Sequence, residues 1–184
     1  MEDNIKKDIC VYKKKEIAIF SDCDICIKII NEFEMEEYRR LRNDKDNQKF
    51  FFHSAYISYE QQRKWFLDYL KNTNELMFAI YDINTNEFIG AISLYNIDAK
   101  IKSAEIGRLI IDRKKAGGKG YASKAINALI NWAQEKLGIS YYYAEIYYNN
   151  IASRRTFEKS QFVYKENLQV NGNRCVCVER KMIH

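Results

Sequence analysis

The sequence predicts one α/β domain of the α+β kind, a central mixed, mostly antiparallel sheet of six to seven strands flanked by about four helices. Three observations carry this. Short β-prone runs alternate with stretches of helical period. The middle strands are joined by turns too short for a crossover, so they form a meander. A chain of 184 residues, 47% hydrophobic, suits one core.

Residues 1–22 stand apart from the rest. β-prone runs at 9–12 and 17–20 flank Lys13-Lys14-Lys15-Glu16, predicting an N-terminal arm or hairpin ahead of a domain over 23–184. Residues 26–30 read as a strand and 34–42 as a charged helix ending in Arg42-Asn43-Asp44. Ser58-Tyr59-Glu60-Gln61 is a capping box, and Trp65, Phe66, Tyr69 and Leu70 then recur at helical spacing. Strands follow at 77–81 and 88–94 around Asn84-Thr85-Asn86-Glu87, and 104–111 completes the meander. A long amphipathic helix occupies residues 121–137, with Ala125, Ala128, Leu129 and Trp132 on its buried face and Gly138 at its end. Residues 141–148 read as a strand, 150–159 as a short helix, and 162–167 with 174–182 as a hairpin around Asn171-Gly172.

The 30 basic residues exceed the 25 acidic ones by a formal net charge of +5, but they are scattered. Nucleic-acid binding is not expected, while a small anionic ligand needs only a local cluster. The absence of proline excludes proline-rich linkers and collagen-like structure, and 14% aromatic residues argue against disorder. No apolar stretch approaches a membrane span, so a cytoplasmic location with no membrane partner is expected. The 5 cysteines read as reduced thiols. Cys23, Cys26, Cys175 and Cys177 offer a zinc alternative, but Cys175-Val176-Cys177-Val178 alternates like a strand. Small buried hydrophobes is the expected role, and no metal is expected.

Gly117-Gly118-Lys119-Gly120-Tyr121-Ala122 is the most informative stretch. Three glycines between a strand and a helix start free backbone N–H groups to face one anion, and the helix end adds partial positive charge. A phosphate or pyrophosphate site is expected, with Arg113, Lys114, Lys115 and Lys119 as its cations. Neither G-x-x-x-x-G-K-[ST] nor G-x-G-x-x-G is present, which excludes the P-loop and the dinucleotide fingerprint. The alternative is a ligand-free glycine turn.

Glu105-Ile106-Gly107-Arg108-Leu109-Ile110-Ile111, followed by Gly118-Lys119-Gly120-Tyr121-Ala122 opening a helix, resembles the central motif of the GNAT superfamily of N-acetyltransferases. The Gly-Lys-Gly-Tyr string is most similar to the Rim-type branch, and the resemblance extends from about Ile25 to Met182. It implies that Gly117, Gly118, Lys119, Gly120, Tyr121, Ala122 and Ser123 hold the pyrophosphate of acetyl-coenzyme A. It also implies that the strand at Leu109, Ile110 and Ile111 splays from the strand at 141–148 to admit the pantetheine arm, and that Asn150, Ser153 and Phe157 complete the cofactor side. A direct attack by the acceptor amine is implied.

Several positions depart from the family pattern. Gly117 replaces a usual Gln or Arg. Asp112-Arg113-Lys114-Lys115 stands where many relatives carry a proline. Phe157 falls at the tyrosine commonly proposed to protonate the leaving thiolate, and a phenyl ring donates no proton. Glu105 matches a family glutamate and is a candidate base, the alternative being a solvated strand-end carboxylate. His53 is a second candidate near the acceptor. Phe51, Tyr56 and Trp65 are expected in the core ahead of a substrate wall.

Arg42 and residues 57–65 look similar to Rim-type enzymes that acetylate nucleotide-linked amino sugars, placing Arg42 at a substrate phosphate. Polyamines, served by Glu32, Glu34, Glu36 and Glu37, and protein N-termini are the other acceptor classes of the branch. A non-catalytic coenzyme A-binding module is the alternative to an enzyme. Dimers are common in the branch, so a homodimer is a further expectation.

Overall fold

The computed structural model describes residues 2–15, 18–21, 24–52 and 55–182. Its elements are, in order, α1 (Glu2–Tyr12), β1 (Ala18–Ser21), β2 (Ile25–Ile29), α2 (Glu32–Asn43), α3 (Lys45–Gln48), α4 (Tyr59–Lys71), β3 (Leu76–Asp82), β4 (Glu87–Asp98) and β5 (Ser103–Ile111). They continue with α5 (Arg113–Ala116), α6 (Tyr121–Leu137), β6 (Tyr141–Tyr147), α7 (Ile151–Lys159), β7 (Val163–Val170) and β8 (Asn173–Lys181). The described residues form one 8-stranded sheet, ordered β1-β2-β3-β4-β5-β6-β8-β7. All neighbours are antiparallel except β5 and β6.

Side-chain alternation divides the core between the two faces of the sheet. Phe78, Ile80, Ile92, Leu94, Ala104 and Ile106 pack with α6 and with Ile5 and Ile9 of α1. Met77, Ala79 and Ala91 face the other way, onto Met35 and Tyr38 of α2 and Phe66 and Tyr69 of α4. The expected caps are present: Ser58 and Gln61 bond reciprocally, and Gly138 adopts φ 67° behind α6.

The N-terminal segment differs from the expected hairpin. Residues 9–12 are the last turn of α1, because Ile5, Ile9 and Tyr12 share a helical face and enter the core, where Tyr12 meets the Trp132 ring edge-on at 5.2 Å. Lys13 ties this helix to α4, donating from Nζ to the Asn72 carbonyl at 2.6 Å and to that of Tyr69. The sheet has one strand more than expected, and α3 and α5 are single turns started by Asp44 and Asp112. Cys26 lies on β2 and the buried Cys175 and Cys177 on β8, five strand spacings or roughly 24 Å away. A shared zinc is therefore excluded for these three, and Cys23 lies outside the described residues.

One opening interrupts the sheet. β5 pairs with β6 only at Ser103↔Tyr141, Ala104↔Tyr142 and Glu105↔Tyr143. Against β4, the register slips between Ala91↔Ile110 and Ser93↔Gly107, a bulge centred on Arg108, whose φ is 48°. The bulge bends β5 away from β6, so its edge from residue 106 onward faces a wedge-shaped gap.

On the far side of that gap α7 ends in a Schellman motif. The Phe162 N–H donates to the Phe157 carbonyl at 3.0 Å and the Gln161 N–H to that of Glu158 at 2.9 Å, while the Phe157 and Phe162 rings meet edge-on at 5.0 Å. Gln161 takes the left-handed position with φ 64°, where glycine is unstrained. Gln161→Gly is expected to raise stability by about 1 kcal/mol, seen as a melting-temperature rise of roughly 2–4 °C.

Candidate active site

The strand gap opens into a cavity of about 620 Å³, within the range of small-molecule sites. Leu109, Ile110 and Ile111 line one wall, Ala144, Glu145, Ile146 and Tyr147 of β6 the other, and Phe157 the floor.

At one end lies the glycine turn. Gly118 and Gly120 hold φ 81° and 75°, and a Cβ on either would point into open space, with no atom within 4 Å. α6 starts at Gly120 without a side-chain cap, so its first-turn N–H groups face outward from the helix end. A side chain at Gly117 would strike the Arg113 carbonyl at 2.5 Å, which explains why the family's Gln or Arg is absent: α5 occupies that space. Gly117, Gly118, Gly120, Tyr121 and Ala122 line the cavity, as do Asn150 and Ser153. Lys119 and Ser123 are not among the lining residues. Lys119 pairs with the buried Asp82 at 3.3 Å, joined there by the Tyr121 hydroxyl at 2.9 Å, and the Ser123 hydroxyl donates to the Gly120 carbonyl. Arg113 and Lys159 supply the cavity's cations at this end. Lys115 turns to Glu87 and the Phe88 carbonyl.

At the other end stand Arg42, Asn47, Phe50, Phe51 and Phe52. The Arg42 guanidinium lies over the Phe51 ring at 4.0 Å, and its Nη1 reaches the Tyr38 hydroxyl at 3.3 Å. Phe52 meets Tyr147 edge-on at 4.7 Å across the cavity mouth. Asn43 clamps this region, accepting from the Ile57 N–H and donating to its carbonyl. Phe51 thus belongs to the cavity wall, Tyr56 is exposed, and Trp65 packs on the core. His53 lies outside the described residues. The α2 carboxylates do not converge on the cavity: Glu34 turns inward to Lys28 and the Tyr81 hydroxyl, while Glu36 and Glu37 pair with Arg39 and Arg40.

Glu105 sits beneath the cavity and is 5% exposed. Its Oε1 accepts from the Tyr95 hydroxyl at 2.6 Å and its Oε2 from the Asn96 amide at 2.9 Å. Burial pushes its pKa above the usual carboxylate range; the two hydrogen bonds offset this only in part, and the nearby Glu145 adds to it. A solvated strand-end carboxylate is therefore not what the fold contains. Tyr95 lines the cavity, and sequence reading did not single it out.

An anion cradle that opens onto an unpaired strand edge suits an enzyme that lays an extended, phosphate-tailed acyl donor along a sheet. That arrangement fits an acyltransferase. The sequence model of the acetyltransferase (GNAT) domain matches residues 26–163, and the chain belongs to that family of N-acetyltransferases. It is similar to the probable N-acetyltransferase YjcK of Bacillus subtilis, with 28% identity over 125 residues, 64% of this chain and 68% of the relative. Among solved structures, the spermidine N-acetyltransferase from Vibrio cholerae in complex with CoA and spermine superposes with a TM-score of 0.78 at 19% identity, covering 87% of this chain and 96% of that one. RimL, a ribosomal alpha-N-protein acetyltransferase in complex with coenzyme A, gives 0.77 at 18% identity over 90% and 98%. No described helix is long and apolar enough to cross a membrane.

Proposed function

We propose that the protein moves the acetyl group of acetyl-coenzyme A to the primary amine of a small acceptor that also carries an anionic group, a nucleotide-linked amino sugar being the class that fits. The observation that carries the acceptor reading is Arg42, held over Phe51 at the cavity end away from the glycine turn. A guanidinium against an aromatic ring favours a phosphate or carboxylate beside a planar group. A polyamine would want several carboxylates, whereas Glu34, Glu36 and Glu37 of α2 are paired elsewhere, Glu32 faces Arg63, and Glu145 is the acidic side chain lining the cavity.

The cofactor reading rests on fit. The space that a Cβ at Gly118 or Gly120 would enter suits a pyrophosphate, with the α6 N–H groups facing it and Arg113 and Lys159 neutralising charge. The free edge at Leu109–Ile111 offers backbone groups to the amide-bearing pantetheine arm, and an N–H of that edge polarises the acetyl carbonyl. Asn150 stays with its helix, its side chain accepting from the Ser153 N–H. Phe157 contributes shape alone. The thiolate leaves without a side-chain acid at that position, which its ordinary pKa of about 8.5 tolerates.

Arg42→Gln tests the acceptor end. The expected result is a rise in the acceptor KM of about 10–100-fold, the loss of one charge-assisted contact, with coenzyme A affinity unchanged by calorimetry. A panel of nucleotide-linked amino sugars, spermidine and N-terminal peptides, assayed by thiol release, selects the acceptor. Preference for spermidine would refute the anionic-acceptor reading.

A further inference from the structure

Tyr95 and Glu105 form a pair that the strand register builds. They stand directly opposite each other on β4 and β5, so their side chains share the sheet face that carries α2 and α4. The Tyr95 hydroxyl donates to Glu105 at 2.6 Å. Two features hold the phenol there. Gly107 leaves it room, since a Cβ at that position would lie 2.5 Å from the hydroxyl oxygen. Arg108, ion-paired to Glu75, covers the ring at 4.7 Å. Of the pair, Tyr95 lines the cavity and Glu105 does not.

We infer that Tyr95 is a catalytic residue that takes the acceptor's proton and hands its own to Glu105, which acts through it as a positioning residue and final proton acceptor. This rests on the acetyl-transfer reading above. The acceptor arrives as R–NH₃⁺. One N–H proton passes to the Tyr95 oxygen as the phenolic proton passes to Glu105 Oε1, leaving R–NH₂, a neutral phenol and a neutral carboxyl. The amine lone pair then bonds to the acetyl carbon, the C–S bond breaks with its electron pair on sulfur, and the remaining excess N–H proton goes to the thiolate through water. The carboxyl returns its proton to solvent by the same route after release, so each turnover yields the amide, the thiol and one proton.

The relay never ionises the phenol outright, which matters because burial and the adjacent Glu105 carboxylate push the Tyr95 pKa far above its ordinary value. The charged and titratable groups around the pair are Glu145 and Tyr143 from β6, Arg108 from β5, and Glu75 behind Arg108. Arg42 and Tyr38 of α2 and Tyr69 of α4 act on Arg108 in turn.

Tyr95→Phe keeps the ring and removes only the oxygen. With acetyl-coenzyme A and the best acceptor from the panel, kcat is expected to fall about 10²-fold or more, the span of general acid–base catalysis, with the KM for acetyl-coenzyme A unchanged. The fall should shrink as pH approaches the acceptor amine's own pKa, because free amine then needs no relay. Gly107→Ala, which crowds the hydroxyl without removing it, should show the same pH-rescued deficit. A wild-type kcat in Tyr95→Phe, or a deficit in both variants that pH does not rescue, overturns the relay while leaving acetyl transfer intact. Failure of the wild-type protein to acetylate any amine in the panel would overturn both readings.

Discussion

Gly120→Val is expected to abolish coenzyme A binding, weakening it by at least about 100-fold, or roughly 2.7 kcal/mol. Two effects combine. Gly120 sits at φ 75°, where a non-glycine residue is strained by roughly 1–2 kcal/mol and a β-branched one by more. Its missing Cβ also opens onto the space above the α6 N-terminus, where the pyrophosphate is proposed to sit. Gly138→Ala is the control, because Gly138 has φ 67° and equally open surroundings at the opposite end of the same helix. It should lower the melting temperature and leave coenzyme A affinity unchanged. Calorimetric titration with coenzyme A on both variants separates backbone strain from loss of the cradle.

Glu105→Gln is expected to lower kcat about 10²-fold or more, the range for loss of a general base, while raising stability at neutral pH. The sign of the stability effect follows from the raised pKa of Glu105. A carboxyl whose folded-state pKa is raised binds its proton more tightly in the native than in the unfolded chain. The contribution of this group to native stability is therefore fully present below the unfolded carboxylate pKa and is lost as pH rises through the folded value. Once ionised, the buried carboxylate is a burden on the fold, one that a neutral isostere removes. The carboxamide introduced by the substitution would still accept from Tyr95, and the Asn96 amide can turn to receive its N–H. For the wild-type enzyme, kcat/KM should rise with pH as Glu105 loses its proton, the rise coming at higher pH than for an unperturbed carboxyl. A melting temperature that falls in Glu105→Gln with kcat unchanged would make the carboxylate structural.

Much of the fold was legible because its signals are local. Ser58 and Gln61 announce α4 as a capping box, Gly120 and Gly138 bracket α6, and Asn171-Gly172 turns at φ 50° and 76° between β7 and β8. The short helices α3 and α5 span only four residues each, too few to show a period. In α1, Val11 and Tyr12 favour a strand by type, and only the core contacts of Ile5 and Ile9 decide for a helix.

The site was legible where one stretch of chain builds it and illegible where distant stretches meet. The glycine turn reads from its own sequence. The turn's electrostatics do not: Lys119 is drawn away by Asp82, a residue 37 positions earlier, while Lys159 arrives from α7. The bulge falls just after Gly107 but puts its positive φ on Arg108, a residue type that does not announce it, and it opens the strand gap on which the cavity depends. Tyr95 reads as one more aromatic in a strand until the β4–β5 register sets it against Glu105.

The central claim, acetyl transfer from acetyl-coenzyme A to an amine, is tested most directly by following thiol release and acceptor mass together. Purified protein, acetyl-coenzyme A and the acceptor panel are incubated, and thiol is quantified alongside mass spectrometry of the acceptor. One acetyl group gained by an amine for each thiol released is the predicted result. Coenzyme A binding with no acetylated product, or thiol released with free acetate in its place, would contradict it.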